Sequence, residues 1–157
     1  MHIVTFAAAG GIHGIPILAV EEFTRPVPVT PVPLADRRVA GLMNLRGKSG
    51  TVIDLRKCFV KPHGEPSPNG KMILLETTDR LTEEARQLSV QVFREPVVLL
   101  VDRICDIFPI RFQDVQPRPA HVPERFVTGV LKHGKDYVSL IDLMILIDDI
   151  LNPRGTS

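Results

Sequence analysis

The chain has no tryptophan and a single tyrosine, Tyr137, so it lacks the aromatic platforms on which single-stranded bases stack. Its formal charge is +1 with no block of like charges, which removes the electrostatic footprint of a DNA-, RNA- or anionic-membrane-binding protein. No nucleic-acid partner is expected. Two cysteines, Cys58 and Cys105, are too few for a disulfide framework, and their contexts (Lys-Cys-Phe and Ile-Cys-Asp) read as partly buried thiols in a reducing cytoplasm. Apolar runs are short or broken by charge, and Met-His-Ile-Val has no basic lead into an apolar stretch. The reading is of a soluble protein that is neither exported nor inserted in a membrane. What the 157 residues do offer is a core, since a chain of this length buries roughly 70% of its extended surface on folding.

What is present is a statement made twice. Gly41-Leu-Met-Asn-Leu-Arg-Gly-Lys-Ser-Gly-Thr-Val-Ile-Asp-Leu55 and Gly129-Val-Leu-Lys-His-Gly-Lys-Asp-Tyr-Val-Ser-Leu-Ile-Asp-Leu143 are equal in length, open on glycine and close on Ile-Asp-Leu. Each reads as a strand, a tight turn and a second strand. Each also follows an apolar run ending in acids (Ile15 to Glu22; Val97 to Asp106) and a Pro-x-Pro (Pro31, Pro33; Pro117, Pro119). A period this long implies one duplicated domain with two related lobes, because solenoids need about three or more shorter repeats.

Along the chain, His2 to Ala9 and His13 to Phe23 read as a hairpin about Gly10-Gly11. Arg25 to Pro33 carries proline at nearly every second position and reads as an extended surface strap, its valines anchored on a barrel. Val39 to Leu45 and Thr51 to Phe59 form a strand pair, and the Pro- and Gly-rich stretch from Lys61 to Gly70 closes the first lobe. Met72 to Glu76 is a strand, Thr82 to Leu88 a short helix with Thr82 as N-cap, Ser89 to Phe93 a strand edge, and Val97 to Val101 a buried strand. Asp142 caps a final helix that presents Leu143, Leu146, Ile147, Ile150 and Leu151 on one face. The expected lobes are therefore about 1–62 and about 71–143, with the helix at about 142–151.

Reactive chemistry is thin. Gly47-Lys48-Ser49 looks like the tail of a phosphate-binding loop, and a phosphate-binding enzyme using Gly47 to Thr51 is a rival reading. The preceding glycine, Gly41, stands one residue too far away, however, and a strand rather than a helix follows. The histidines are scattered, neither cysteine has a partner at metal-ligand spacing, and no Gly-x-Ser-x-Gly elbow supports a triad of Ser49, His133 and an aspartate. Asp54, Asp102 and Asp142 sit at strand ends, where carboxylates act as turn or cap acceptors. No cofactor and no metal are expected. Short paired strands with edges and a groove between lobes suit a binding module.

His13-Gly-Ile-Pro-Ile-Leu-Ala-Val-Glu-Glu-Phe, Thr30-Pro-Val-Pro, Gly41-Leu-Met-Asn-Leu-Arg-Gly, Val52-Ile-Asp-Leu-Arg, Leu100-Val-Asp-Arg-Ile-Cys-Asp-Ile and Gly129-Val before Leu140-Ile-Asp-Leu occur in this order, and together they resemble the CheW coupling proteins of bacterial chemotaxis from about His2 to Leu151. The resemblance implies a mainly β fold of two SH3-like β-barrel lobes with a C-terminal helix. It also implies a non-enzymatic, cytoplasmic adaptor in a two-component system, joining the cytoplasmic tip of a methyl-accepting chemoreceptor to the regulatory domain of a CheA-type histidine kinase. The family's receptor-facing positions fall on Val20, Glu22 and Arg46, with Asn44 and Gly47 shaping the loop that presents Arg46. A guanidinium suits that task, since its planar fork bridges carboxylates and backbone oxygens together; the competing reading pairs Arg46 with Glu22 inside the lobe. Two features depart from the family pattern. Lys48 to Thr51 replaces apolar residues and a proline, implying a weaker apolar contact or a longer turn, and the Thr77 to Glu95 connection is longer than usual. Both allow a kinase-only scaffold in a parallel pathway, such as pilus motility or development.

Overall fold

The computed structural model describes residues 1–45, 47–60, 70–77 and 95–152. They form strands β1 (His2–Ala8), β2 (Gly11–Pro16), β3 (Val20–Thr24), β4 (Val39–Leu45), β5 (Lys48–Asp54), β6 (Lys71–Leu75), β7 (Val97–Val101), β8 (Arg103–Pro109), β9 (Gln116–Pro117), β10 (Val127–His133) and β11 (Asp136–Ile141), and helix α1 (Leu143–Leu151). The architecture is mainly β, in two lobes. One sheet runs β8-β1-β2-β11-β10-β9 and the other β3-β6-β7-β5-β4. The helix expected at Thr82 to Leu88 and the strand edge at Ser89 to Phe93 lie outside the described residues.

The repeat in the sequence is a repeat in three dimensions. Val39 pairs with Ile53, a register shift follows, and Gly41 then pairs with Val52 down to Leu45 with Lys48. In the second copy Val127 pairs with Ile141, the same shift follows, and Gly129 pairs with Leu140 down to His133 with Asp136. In both copies the second strand also accepts a parallel neighbour, β7 beside β5 and β2 beside β11.

Those parallel neighbours correct the expected boundaries. β1 and β2 come from the first repeat but lie in the sheet of β8 to β11, whereas β6 and β7 come from the second repeat but lie in the sheet of β3 to β5. The segments 1–62 and 71–143 are thus sequence repeats, not contiguous structural lobes, and each contributes its opening strand pair to the other's sheet. The crossing is legible locally. β2 ends at Pro16, which has no N–H to continue a ladder, and a 3-10 turn at Ile17–Ala19 redirects the chain into β3. The single apolar run read from His13 to Phe23 is therefore split between two sheets.

Exchange explains why the strands are so apolar. In β6, Met72 and Leu74 face a small core inside their own lobe with Met43, Val52 and Val98, while Ile73 and Leu75 face a larger core shared by both sheets. The other lobe has its own interior at Ile3, Leu131 and Val138, and its Val4 and Phe6 turn to the shared core. Strands buried on both faces read as unbroken hydrophobic runs. Helix α1 completes the shared core with Leu143, Leu146, Ile147 and Ile150; Leu151, in its last position, is exposed. Its first turn is capped as expected, the Asp142 carboxylate accepting from the Ile145 N–H at 3.0 Å.

Candidate functional site

The β4–β5 hairpin is the most closely specified surface feature. Leu45 pairs with Lys48, so the connection holds only positions 46 and 47. Gly47 has φ +84°, a left-handed conformation that glycine adopts without penalty, and its N–H donates to Oδ1 of the exposed Asn44 at 3.0 Å. Leu45 lies over Gly50, where an added Cβ would stand 2.5 Å from Leu45 Cδ1. Asn44 and Gly47 thus shape the tip together. Arg46, the residue they flank, lies outside the described residues. The longer turn inferred from Lys48 to Thr51 is not found, because these residues belong to β5, with Lys48 and Ser49 exposed. No helix N-terminus follows Gly47, which removes the geometry a phosphate loop requires.

Val20 and Glu22 stand elsewhere. They open β3 immediately after the chain crosses between sheets, and β3 and β4 are the two outer strands of their sheet. Val20 is half-buried against the shared core and Glu22 is exposed, the register shifting between them where they pair with Leu75 and Leu74. The Glu76 N–H donates to Ala19 O at 2.8 Å and fixes the point at which β3 begins.

At the end of the hairpin lies an ion-pair network of one buried carboxylate and two partly buried partners. Asp54, 5% exposed, accepts from Arg56 Nε at 2.8 Å and Nη2 at 3.1 Å, and Arg56 Nη1 reaches Asp102 Oδ1 at 3.6 Å. Asp102 sits where β7 crosses into β8, and its N–H donates to Ala7 O at 2.8 Å. Arg56 therefore ties the end of one repeat's hairpin to the other repeat's crossing, and its pKa is raised first by the hydrogen bonds it donates to Asp54. Arg56 stands in the Val52-Ile-Asp-Leu-Arg string, but its structural role was not readable from the sequence, because Asp102 meets it only through the parallel pairing of β5 with β7. Nearby, the Arg38 guanidinium grips Asp36 at 2.8 and 2.7 Å and holds that carboxyl down at about 2.

The paper triad does not assemble. Ser49 lies in one sheet, while His133 at the end of β10 stacks on Phe108 at 3.5 Å and pairs with Asp106 at 3.3 Å in the other. Because β8 and β10 are far apart in the order of that sheet, this contact helps close it as a barrel. Cys58 is buried, with burial pushing its thiol up to about 12, whereas Cys105 is exposed rather than partly buried. Among the described residues, no three His, Cys, Asp or Glu side chains converge to hold a metal ion. No helix among them is long and apolar enough to cross a membrane.

Comparison with known proteins matches this architecture throughout. The model of the CheW-like domain family matches residues 2–151. Over 144 residues the chain is 26% identical to a chemotaxis protein CheW of Treponema pallidum, covering 90% of this chain and 78% of that one. It is 28% identical over 130 residues to a chemotaxis protein CheW of Rhizobium meliloti, with 81% and 74% covered. The crystal structure of the scaffolding protein TtCheW from Thermoanaerobacter tengcongensis superposes with a TM-score of 0.74 at 27% identity, covering 92% of this chain and 86% of that one.

Proposed function

Because this chain belongs to the family of CheW-like domains, we propose that it is a non-enzymatic adaptor coupling the cytoplasmic tip of a methyl-accepting chemoreceptor to the regulatory domain of a CheA-type histidine kinase. The observation that carries this reading is the family match across both repeats, from residue 2 to residue 151. Its relatives bear the names of chemotaxis proteins and a scaffold. The geometry is compatible. Two lobes with outer strands offer surfaces to two partners, and the rigid core between them fixes how those partners are held apart. In this reading the protein works in the cytoplasm, and its receptor contact consists of Val20, Glu22 and Arg46, with Asn44 and Gly47 setting the tip of the hairpin.

The test is the affinity of the folded protein for a soluble receptor-tip fragment. Arg46→Glu is expected to leave the unfolding midpoint unchanged and to weaken receptor binding by about 2 kcal/mol, roughly thirtyfold. Unchanged affinity removes Arg46 from the contact. The exposed Lys48 and Ser49 on β5 favour a second reading, a scaffold that binds kinase but has lost the receptor. Kinase capture by the wild-type chain without any measurable receptor affinity supports that alternative.

A further inference from the structure

Leu34 is the most exposed large apolar side chain among the described residues, and its backbone is held in an unfavourable state. Its φ of +64° is left-handed, which a bulky side chain rarely adopts. The Ala35 N–H donates to Val32 O at 3.3 Å across Pro33-Leu34, the pattern of a type II turn, whose third position favours glycine or asparagine because φ there is positive. A leucine in that place gives up backbone energy and leaves its whole side chain in water. Neither property serves the fold, since a fully exposed side chain adds nothing to a core. Strain kept where packing gains nothing from it is strain of the kind found at functional sites.

The turn is rigidly mounted. On one side Thr30 is bridged to Leu42; on the other, the Arg38 N–H donates to Asp36 Oδ1 at 2.9 Å, the Val39 N–H to Asp36 O at 2.9 Å, and Arg38 Nη2 reaches Asp149 O on α1 at 3.5 Å. A knob held this way loses little freedom on binding. Beside it opens a cavity of about 450 Å³ whose lining includes Arg37, Lys57 and Val60, all exposed. Arg37 follows Leu34 by three positions, so the two Cα atoms are at most about 11 Å apart. Two carboxylates at this rim are engaged, Asp36 by Arg38 and Glu124 by the Val60 N–H at 3.0 Å. Arg37 and Lys57 thus put positive charge beside the apolar knob.

Thr30 pairs antiparallel with Leu42, so the strap runs against β4 and its continuation to Leu34 leads away from the tip at positions 46–47. β4 is seven residues long, about 20 Å. Leu34 and the tip therefore stand towards opposite ends of β4 and can be engaged together. We propose that Leu34, flanked by Arg37 and Lys57, is the docking knob for the kinase: it fills an apolar socket on the regulatory domain whose rim carries carboxylates. The assignment rests on the adaptor reading, which requires a second contact apart from the receptor's.

The experiment is a calorimetric titration of the full chain with the regulatory domain of a CheA-type kinase from the same genome, at low and high salt, alongside unfolding midpoints. Leu34→Gly relieves the left-handed strain, so it is expected to keep or raise the midpoint while weakening kinase binding roughly thirtyfold. Arg37→Glu combined with Lys57→Glu is expected to weaken binding about tenfold and to flatten its salt dependence. Equal kinase affinity for the wild type and Leu34→Gly overturns the proposal and leaves the adaptor reading standing. A lowered midpoint in Leu34→Gly also overturns it, because the leucine would then be packing within the fold. Affinity and salt dependence unchanged in the charge variant overturn the acidic socket. A wild-type chain that binds no kinase overturns the proposal and the adaptor reading together.

Discussion

His13 is held neutral by its surroundings: burial pushes its pKa below the usual imidazole value, against the opposing pull of the Ala8 carbonyl and the Glu124 charge. In the unfolded chain the same ring takes up a proton near pH 6.5, so below that value the unfolded state binds more protons than the native one. The contribution is therefore complete above about pH 6.5 and is lost as pH falls through the unfolded value. Urea-unfolding midpoints are expected to drop between pH 7 and pH 5, and His13→Phe is expected to flatten that part of the profile. An unchanged slope in the variant would assign the dependence to another group. Residue roles were legible where they are local. Asp142 as a cap involves neighbours within three positions; Asn44 and Gly47 came only from the family resemblance, although the bond between them is equally local. His13 meeting Phe59, or Arg56 meeting Asp102, depends on which strands lie side by side, and no short-range pattern encodes that.

At the scale of elements, the strap from Arg25 to Pro33 is extended and largely exposed as its prolines require, and it is anchored at Thr30, which exchanges backbone hydrogen bonds of 2.8 and 2.9 Å with Leu42. Gly41 makes this possible. Its φ of +147° and the 2.2 Å that would separate an added Cβ from Thr30 O leave no room for a side chain. The second repeat repeats the device, with Gly129 lying under Val115 and Gln116, where a Cβ would come within 2.7 Å of Val115 Cγ1. Gly41→Ala is thus expected to cost at least about 2 kcal/mol and to speed amide exchange at Thr30 and Leu42. Gly47→Ala, with nothing within 4 Å of its Cβ, should cost only about 1 kcal/mol, for the left-handed conformation alone. Equal effects at the two glycines would remove the strap contact as the cause. Most strands were readable because apolar runs bounded by Gly and Pro identify them. The length of the turn was overestimated because the polar Lys48-Ser-Gly looks like loop, although these residues pair with β4, Lys48 and Ser49 staying exposed while Gly50 is buried.

For the whole molecule, duplication was visible in the matched Ile-Asp-Leu strings, but the exchange of strand pairs was not. Two repeats of equal pattern are consistent either with separate lobes or with swapped ones, and only the pairing of β2 with β11 and of β7 with β5 distinguishes them. Exchange makes each repeat incomplete. Chains cut within residues 61–69 are expected to give halves that show no cooperative unfolding alone and regain it when mixed; a cooperative transition in either half alone would contradict the interleaved core. An interleaved core would also suit the adaptor proposed above, since neither lobe can move without disturbing strands of both repeats. The most direct measurement is co-sedimentation of a CheA-type kinase with receptor-bearing vesicles, with and without this chain. The account predicts that the kinase pellets with the vesicles only when the chain is present, and that Arg46→Glu leaves the kinase in the supernatant; kinase sedimentation indifferent to the chain would contradict it.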